Sequence, residues 1–229
     1  MTTRPAPGLF HTERNGAQTM PHQSHTRTDE LLFAAQTGSV ESLGELLQLY
    51  TNYLKLLVFA QLEKNLRVRV SPSDVVQETF FEAHRDFPQF RGHCSAEFVG
   101  WLRKILVNNL CRVVEQHVLA EKRDVRREVS LERLATALEQ STARLEAVIP
   151  DPGSSPSAGA HRREMELVLA DQLAELPADY REVIVLRHIE ALPFEEVARR
   201  MDRSSGAVRM LWLRAVKMLR ERLGARGLV

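Results

Sequence analysis

The side chains best equipped to engage another molecule in this chain are cations and amides set off from apolar helical stripes. Residues 192–223 read LPFEEVARRMDRSSGAVRMLWLRAVKMLRERL. Val208, Trp212, Ala215 and Leu219 recur there at helical spacing and form one apolar stripe. Arg209, Arg214, Lys217 and Arg220 lie off it. Guanidinium and ammonium groups so placed donate to phosphate oxygens and base edges. A second donor set, Arg103, Lys104, Asn108 and Arg112, borders the stripe Phe98, Trp101, Leu102, Ile105, Leu106 and Leu110. The loop FPQFRGHC (87–94) precedes it, with two aromatics and one arginine between proline and glycine. Aromatics beside a donor-lined helix suit the stacking of single-stranded bases, although Phe98 and Trp101 equally suit a core. A third set, Asp74, Gln77, Glu78 and Glu82, shares the polar side of one helix. By residue type alone that side is a solvated face.

Metal and catalytic chemistry find no such support. Cys94 and Cys111 flank a helix that rises 1.5 Å per residue, which separates them by about 25 Å. At that distance they share neither a metal nor a disulfide. His93 and Cys94 offer two ligands with no others near, and the early histidines His11, His22 and His25 match no ligand spacing. Glu195 and Glu196 sit where a helix dipole already accounts for them. No glycine-rich phosphate loop or Ser/His/Asp pattern is present. The expectation is a non-enzymatic protein with no cofactor and no metal.

The elements that position these groups are helices. Pro193 suits a first helical turn, and Asp202 is one of the few residue types that tolerate a left-handed backbone. Ser204 then caps the next helix. Two helices, a short turn and a basic second helix describe a helix-turn-helix suited to a DNA major groove, though many basic hairpins never touch DNA. Upstream, Ser71-Pro72-Ser73-Asp74 is a helix start signal, and Ser95 is expected to cap the helix that runs to about 117. A short helix ends near Gly38. From Ser39 one helix is predicted through Leu43, Leu46, Leu47, Tyr50, Leu54, Leu57 and Val58.

The chain has 229 residues, net charge +1, 44% hydrophobic and 27% charged residues, so any affinity for nucleic acid rests on local segregation of charge. Two cysteines suit a reducing compartment. No apolar run is long enough to span a membrane, and 1–18 lacks a signal-peptide core, so a cytoplasmic protein is expected. The sequence divides into a disordered tail (1–27), a helical domain (28–120), a linker (121–161) and a second helical domain (162–225). The linker combines a charged, weakly helical stretch with PDPGSSPSAG (150–159). The expected fold is all-α: two small helical domains joined by a flexible linker, the C-terminal one a four-helix domain containing the helix-turn-helix.

Three segments in this order resemble a known family. DVVQETFFEAHRDF (74–87), FRGHCSAEFVGWLRKILVNNL (90–110) and LPADYREVIVLRHIEALPFEEVARRMDRSSGAVRMLWLRAVKMLRERL (176–223) look like segments of the extracytoplasmic-function branch of the bacterial sigma-70 family. These are promoter-recognition subunits of RNA polymerase, and the resemblance covers about 29–223. It implies that Asp74, Gln77 and Glu78 dock on core polymerase. It implies that Phe90, Arg91 and Gly92 open the loop that captures a flipped −10 base, with Trp101 and Asn108 on the adjoining helix; Arg112, from the donor set above, is expected at the same interface by its residue type. It implies that Ser204, Ser205 and Arg209 open the helix that meets the −35 element; Arg203 in the turn and Lys217 off the stripe are expected from their placement to contact phosphates. The implied partners are core RNA polymerase, double-stranded promoter DNA and the melted −10 strand, with an anti-sigma factor left open. Departures exist: Asp202 stands at a common glycine, Arg203 at an apolar position and Leu211 at a cation. Arg112 and Glu115 replace a common Asp and Arg. Two rivals follow from other classes: a stand-alone helix-turn-helix regulator, and an inactive sigma-like scaffold that binds an anti-sigma partner.

Overall fold

The computed structural model describes residues 27–62, 69–121, 131–148 and 158–225, and no strand occurs among them. Residues 1–26 of the expected tail (1–27), the basic stretch 63–68 and the linker stretch 149–157 lie outside the described residues, and Arg27 opens the first helix. Among these residues ten α-helices follow in order: α1 (Arg27–Gln36), α2 (Val40–Leu49), α3 (Thr51–Gln61), α4 (Pro72–Asp86), α5 (Ser95–Glu121), α6 (Leu131–Val148), α7 (Ala158–Ala174), α8 (Ala178–Ile184), α9 (Phe194–Met201) and α10 (Ser205–Gly224). A 3-10 turn, Phe87–Gln89, ends α4, and a π-turn, Val185–Ile189, extends α8.

Local chemistry sets most of the boundaries. Gly38 closes the first hairpin with φ of 106°, a conformation that favours glycine. The Ser39 hydroxyl accepts from the Ser42 N–H and caps α2. The Ser71 hydroxyl accepts from the Ser73 N–H, with Pro72 at the first helical position of α4. Two expectations are corrected. The single helix predicted from Ser39 through Val58 is broken at Tyr50, whose ψ of −1° ends α2 and starts α3. The 3.6-residue period survives a one-residue break, so the stripe concealed it. Ser95 does not cap α5 but begins it. Its N–H donates to Asp29 Oδ1 of α1 at 2.8 Å, and Glu97 Oε2 accepts from the His93 N–H at 2.6 Å. The cap therefore comes from across the fold.

One apolar core runs from Leu32 of α1 to Leu219 of α10. The weak periodicity of the linker is realised as α6, whose Leu134, Leu138 and Leu145 are buried. Polar bonds join this helix and those after it to the N-terminal helices. Asn52 Nδ2 donates to Asp171 Oδ1 at 2.8 Å, and Gln61 Nε2 to Ser141 Oγ at 2.9 Å. Arg163 Nε donates to Ser95 Oγ at 3.3 Å. Among the later elements, Arg144 Nη1 of α6 donates to the Ile189 carbonyl of the π-turn at 3.0 Å. None of the described helices is long and apolar enough to cross a membrane.

Candidate polymerase and nucleic-acid interfaces

The surface of α4 follows from its cap and its stripe. Val75, Val76, Thr79 and Ala83 are buried, which turns Asp74, Gln77 and Glu78 outward, and all three are exposed. Phe80, beside this buried set, is half-buried. Phe81, one turn beyond Gln77, is 65% exposed and was not singled out by sequence pattern. Its place four residues after Gln77 is the signal that could have found it. Glu82 faces α5 instead of solvent and pairs with Arg112 at 3.1 Å. A polar seam continues inward. Arg112 Nη1 also donates to Asn109 Oδ1, Asn109 Nδ2 donates to Thr79 Oγ1 at 3.4 Å, and Thr79 donates to the Val75 carbonyl.

The loop and α5 bring Phe90, Gly92 and Trp101 together. The Phe90 ring lies 5.1 Å from Trp101, 5.9 Å from Phe87 and 5.7 Å from Phe98 between centroids. Phe98 is fully buried and Trp101 half-buried, so Trp101 is both cluster and surface. Phe90 fills the space between loop and Trp101. Gly92 is required by that placement, because a Cβ there would sit 2.3 Å from Phe90 Cζ and 2.9 Å from Glu97 Cβ. Its carbonyl accepts from Gln36 Nε2 at 2.7 Å, which ties the loop to α1. Arg91 is exposed and folds back, with Nη1 donating to the carbonyls of Pro88 at 2.7 Å and Phe90 at 3.2 Å. Asn108 is exposed, two turns beyond Trp101 on the same side of α5. Arg112, one turn further, is exposed but engaged by Glu82 and Asn109. A groove of 460 Å³ runs along this side between α5 and α6, with Arg103, Lys104 and Asn108 on one wall and Leu138, Glu139 and Thr142 on the other.

The helix-turn-helix forms as its residues dictate. Asp202 adopts φ 54°, ψ 50° at the end of α9, and the Ser204 hydroxyl accepts from the Ala207 N–H at 3.3 Å to cap α10. Val208, Ala215 and Leu219 are buried. Trp212 is half-buried, and its Nε1 donates to His188 Nε2 at 2.9 Å. Burial and the neighbouring Arg187 hold His188 below its ordinary pKa, which suits a neutral ring accepting at Nε2. Arg203 is exposed and paired with Asp179 of α8. Arg209 is exposed, pairs with Glu195 at 3.2 Å and lies 5.5 Å from the centre of the Phe194 ring. Ser204 is exposed and Ser205 half-buried. Lys217 points away from the stripe, 79% exposed in its side chain. Arg214 and Arg220, which the sequence also places off the stripe, are exposed and extend the cationic face. Cys94 and Cys111 are both free, and burial pushes the Cys111 thiol up.

Residues 166–219 match the family model described as sigma-70, region 4. Over 197 residues the chain is 28% identical to a curated ECF RNA polymerase sigma-E factor of Haemophilus influenzae, covering 86% of this chain and 95% of that one. It is 32% identical over 144 residues to the sigma-E factors of Salmonella typhimurium and Escherichia coli K12, covering 62% of this chain and 68% of each relative. A solved complex of CnrH with the cytosolic domain of CnrY, 21% identical, covers 87% of this chain and 99% of that one, with a TM-score of 0.29. With α4, α5 and the helix-turn-helix in the expected order, the chain belongs to the ECF branch of the RNA polymerase sigma factors.

Proposed function

We propose that this sigma factor binds core RNA polymerase through α4, holds the melted −10 strand with the 90–94 loop and the outer face of α5, and meets the duplex −35 element with α10. It is a non-enzymatic DNA-binding regulator of initiation, acting in the cytoplasm. The exposed set Asp74, Gln77 and Glu78 carries the polymerase part. The side chains behind it are buried, so this polar face is free for a partner, and a stand-alone regulator has no need of it. Phe81 supplies the apolar anchor that a polar docking face otherwise lacks.

In the −10 part, Trp101 and Phe90 offer ring faces, while Arg91, Asn108 and Arg112 offer donors, and stacking of one base contributes about 1–3 kcal/mol. In the −35 part, Arg209 is the base-edge donor and Arg203 and Lys217 hold phosphates, with Ser204 and Ser205 at the helix start. The N-terminal helices (28–120) and C-terminal helices (162–225) thereby serve separate promoter elements, with 121–161 between them. The test is run-off transcription with purified core polymerase on genomic fragments. Gln77→Ala with Glu78→Ala should weaken core binding at an unchanged circular dichroism spectrum. Equal affinity would favour the stand-alone regulator, and core binding without any run-off product would favour the inactive scaffold.

A further inference from the structure

The outward face of α10 is not purely cationic. Five large apolar side chains stand out as exposed among the described residues, and two of them, Met210 and Leu213, share this face, each 52% exposed. At 3.6 residues per turn Met210 lies about 160° and Leu213 about 140° around the helix from Val208, the buried side chain nearest the α10 start. They point where Lys217 points, away from the core. Single exposed apolar residues are ordinary. An adjacent pair centred on the outward face of a recognition helix is a different matter, because among the described residues both keep about half of their surface in solvent. Their surroundings choose the occupant. Arg209, Arg214, Lys217 and Arg220 are all exposed around the pair, and the one carboxylate on this face, Glu221, is paired with Lys217. A protein partner with an apolar knob would have to desolvate four cations. A DNA major groove neutralises them and presents apolar groups of its own, the 5-methyl groups of thymine.

We infer that Met210 and Leu213 contact thymine methyl groups in the −35 element and so set its sequence preference beside Arg209. The spacing fits. Residues three apart on a helix are about 4.5 Å apart along its axis, close to the roughly 3.4 Å between successive bases of one strand. The two side chains therefore cover neighbouring base steps. The apolar pair also accounts for a cation-poor centre: Leu211, at a position where the family commonly carries a cation, is half-buried against the core and contributes no charge to the face. Specificity shifts from charge to shape and methyl contact. The inference rests on the proposal that α10 meets the −35 element.

The experiment uses holoenzyme and a promoter taken from a −35 library selection. Each −35 thymine is replaced in turn by uracil, which removes the methyl group and leaves every hydrogen-bonding edge intact. Wild-type holoenzyme should lose about fourfold in affinity at each of two adjacent positions, the equivalent of one buried methylene per methyl. Met210→Ala should abolish the uracil effect at one of them and Leu213→Ala at the other. A 5-methylcytosine placed in a cytosine variant of either position should restore affinity to the wild type only. Both side chains are exposed, and the base analogues test the contact without altering the protein. A selected −35 preference with no uracil effect overturns the methyl contact while leaving the −35 assignment of α10 intact, and it would move the apolar pair to a protein partner. No −35 preference in any form would instead overturn the assignment on which the inference stands.

Discussion

Gly92→Ala tests the link between the aromatic cluster and the −10 loop. The added Cβ would stand 2.3 Å from Phe90 Cζ, 2.8 Å from Phe90 Cε2 and 2.9 Å from Glu97 Cβ. Contacts that short force something to move. Two responses are open: the loop shifts with the ring in place, an overpacking cost of about 1–3 kcal/mol, or the Phe90 ring swings out. In the second case it forfeits contacts with Phe87, Phe98 and Trp101, each contributing about 0.5–1.5 kcal/mol beyond burial. The cheaper response sets the cost, so about 2 kcal/mol is expected. In a Phe90→Ala background most of the overlap disappears and only the Glu97 Cβ contact remains. The same glycine replacement should then cost about 1 kcal/mol or less. The effect of alanine on the unfolded chain is common to both backgrounds and cancels. Urea unfolding of the four proteins gives the coupling, expected at about 1–2 kcal/mol. Identical costs of Gly92→Ala in the two backgrounds would show that the ring is not what the glycine accommodates. Permanganate footprints on the same variants then report function. Gly92→Ala should hold back promoter opening more than closed-complex formation if, as proposed, the displaced ring face receives the flipped base.

Three further outcomes follow from the ion pairs and the half-buried histidine. His188 binds a proton more weakly in the folded chain than in the unfolded one, so its contribution is complete above the ordinary histidine pKa and is lost as pH falls below it; thermal melts at pH 7.5 and 5.5 should show acid destabilisation that His188→Gln flattens. Glu82→Ala releases Arg112 and should strengthen promoter binding, whereas Arg112→Ala weakens it; filter binding of holoenzyme showing the same sign for both would remove Arg112 from the DNA face. Arg203→Ala and Lys217→Ala should each lower the salt slope of promoter binding by about one unit with unchanged sequence preference, and Arg209→Ala should relax the −35 preference in a library selection.

Much of this was legible because its cause is local. Ser71, Pro72 and Asp74 announce α4, and the left-handed Asp202 with the Ser204 cap fixes the helix-turn-helix within one residue of expectation. The buried set Val208, Ala215 and Leu219 follows from periodicity alone. What escaped has its cause elsewhere in the chain. Asp29, sixty-six residues before Ser95, supplies the cap that the serine was expected to provide. Tyr50 breaks a stripe whose period continues unbroken across it. The hydrogen bond from Trp212 to His188 comes from outside α10, and no pattern within that helix reveals it. The site residues divide the same way: the exposure of Gln77 and Glu78 follows from their own helix, whereas the engagement of Arg112 by Glu82 needs two helices packed.

The pairing of the cations bears on how this sigma factor tells promoters from other DNA. Its 31 lysines and arginines are offset by 30 aspartates and glutamates, and the offset is local on the C-terminal helices. Arg203 is held by Asp179, Arg209 by Glu195 and Lys217 by Glu221. A phosphate or base that takes one of these cations exchanges one partner for another. Exposed pairs of this kind are worth no more than about 1 kcal/mol, so the exchange costs little where the geometry of the new partner is good. Where it is poor, the cation keeps its carboxylate. Random duplex, which offers only phosphates, therefore gains less from these residues than from unpaired cations. Under the proposed assignment, a −35 element that also presents the guanine edge for Arg209 and methyl groups for Met210 and Leu213 recovers the difference. Neutralised cations around an apolar centre thus weaken nonspecific binding more than specific binding, which a chain of net charge +1 needs if it is to act only as part of the polymerase that it directs.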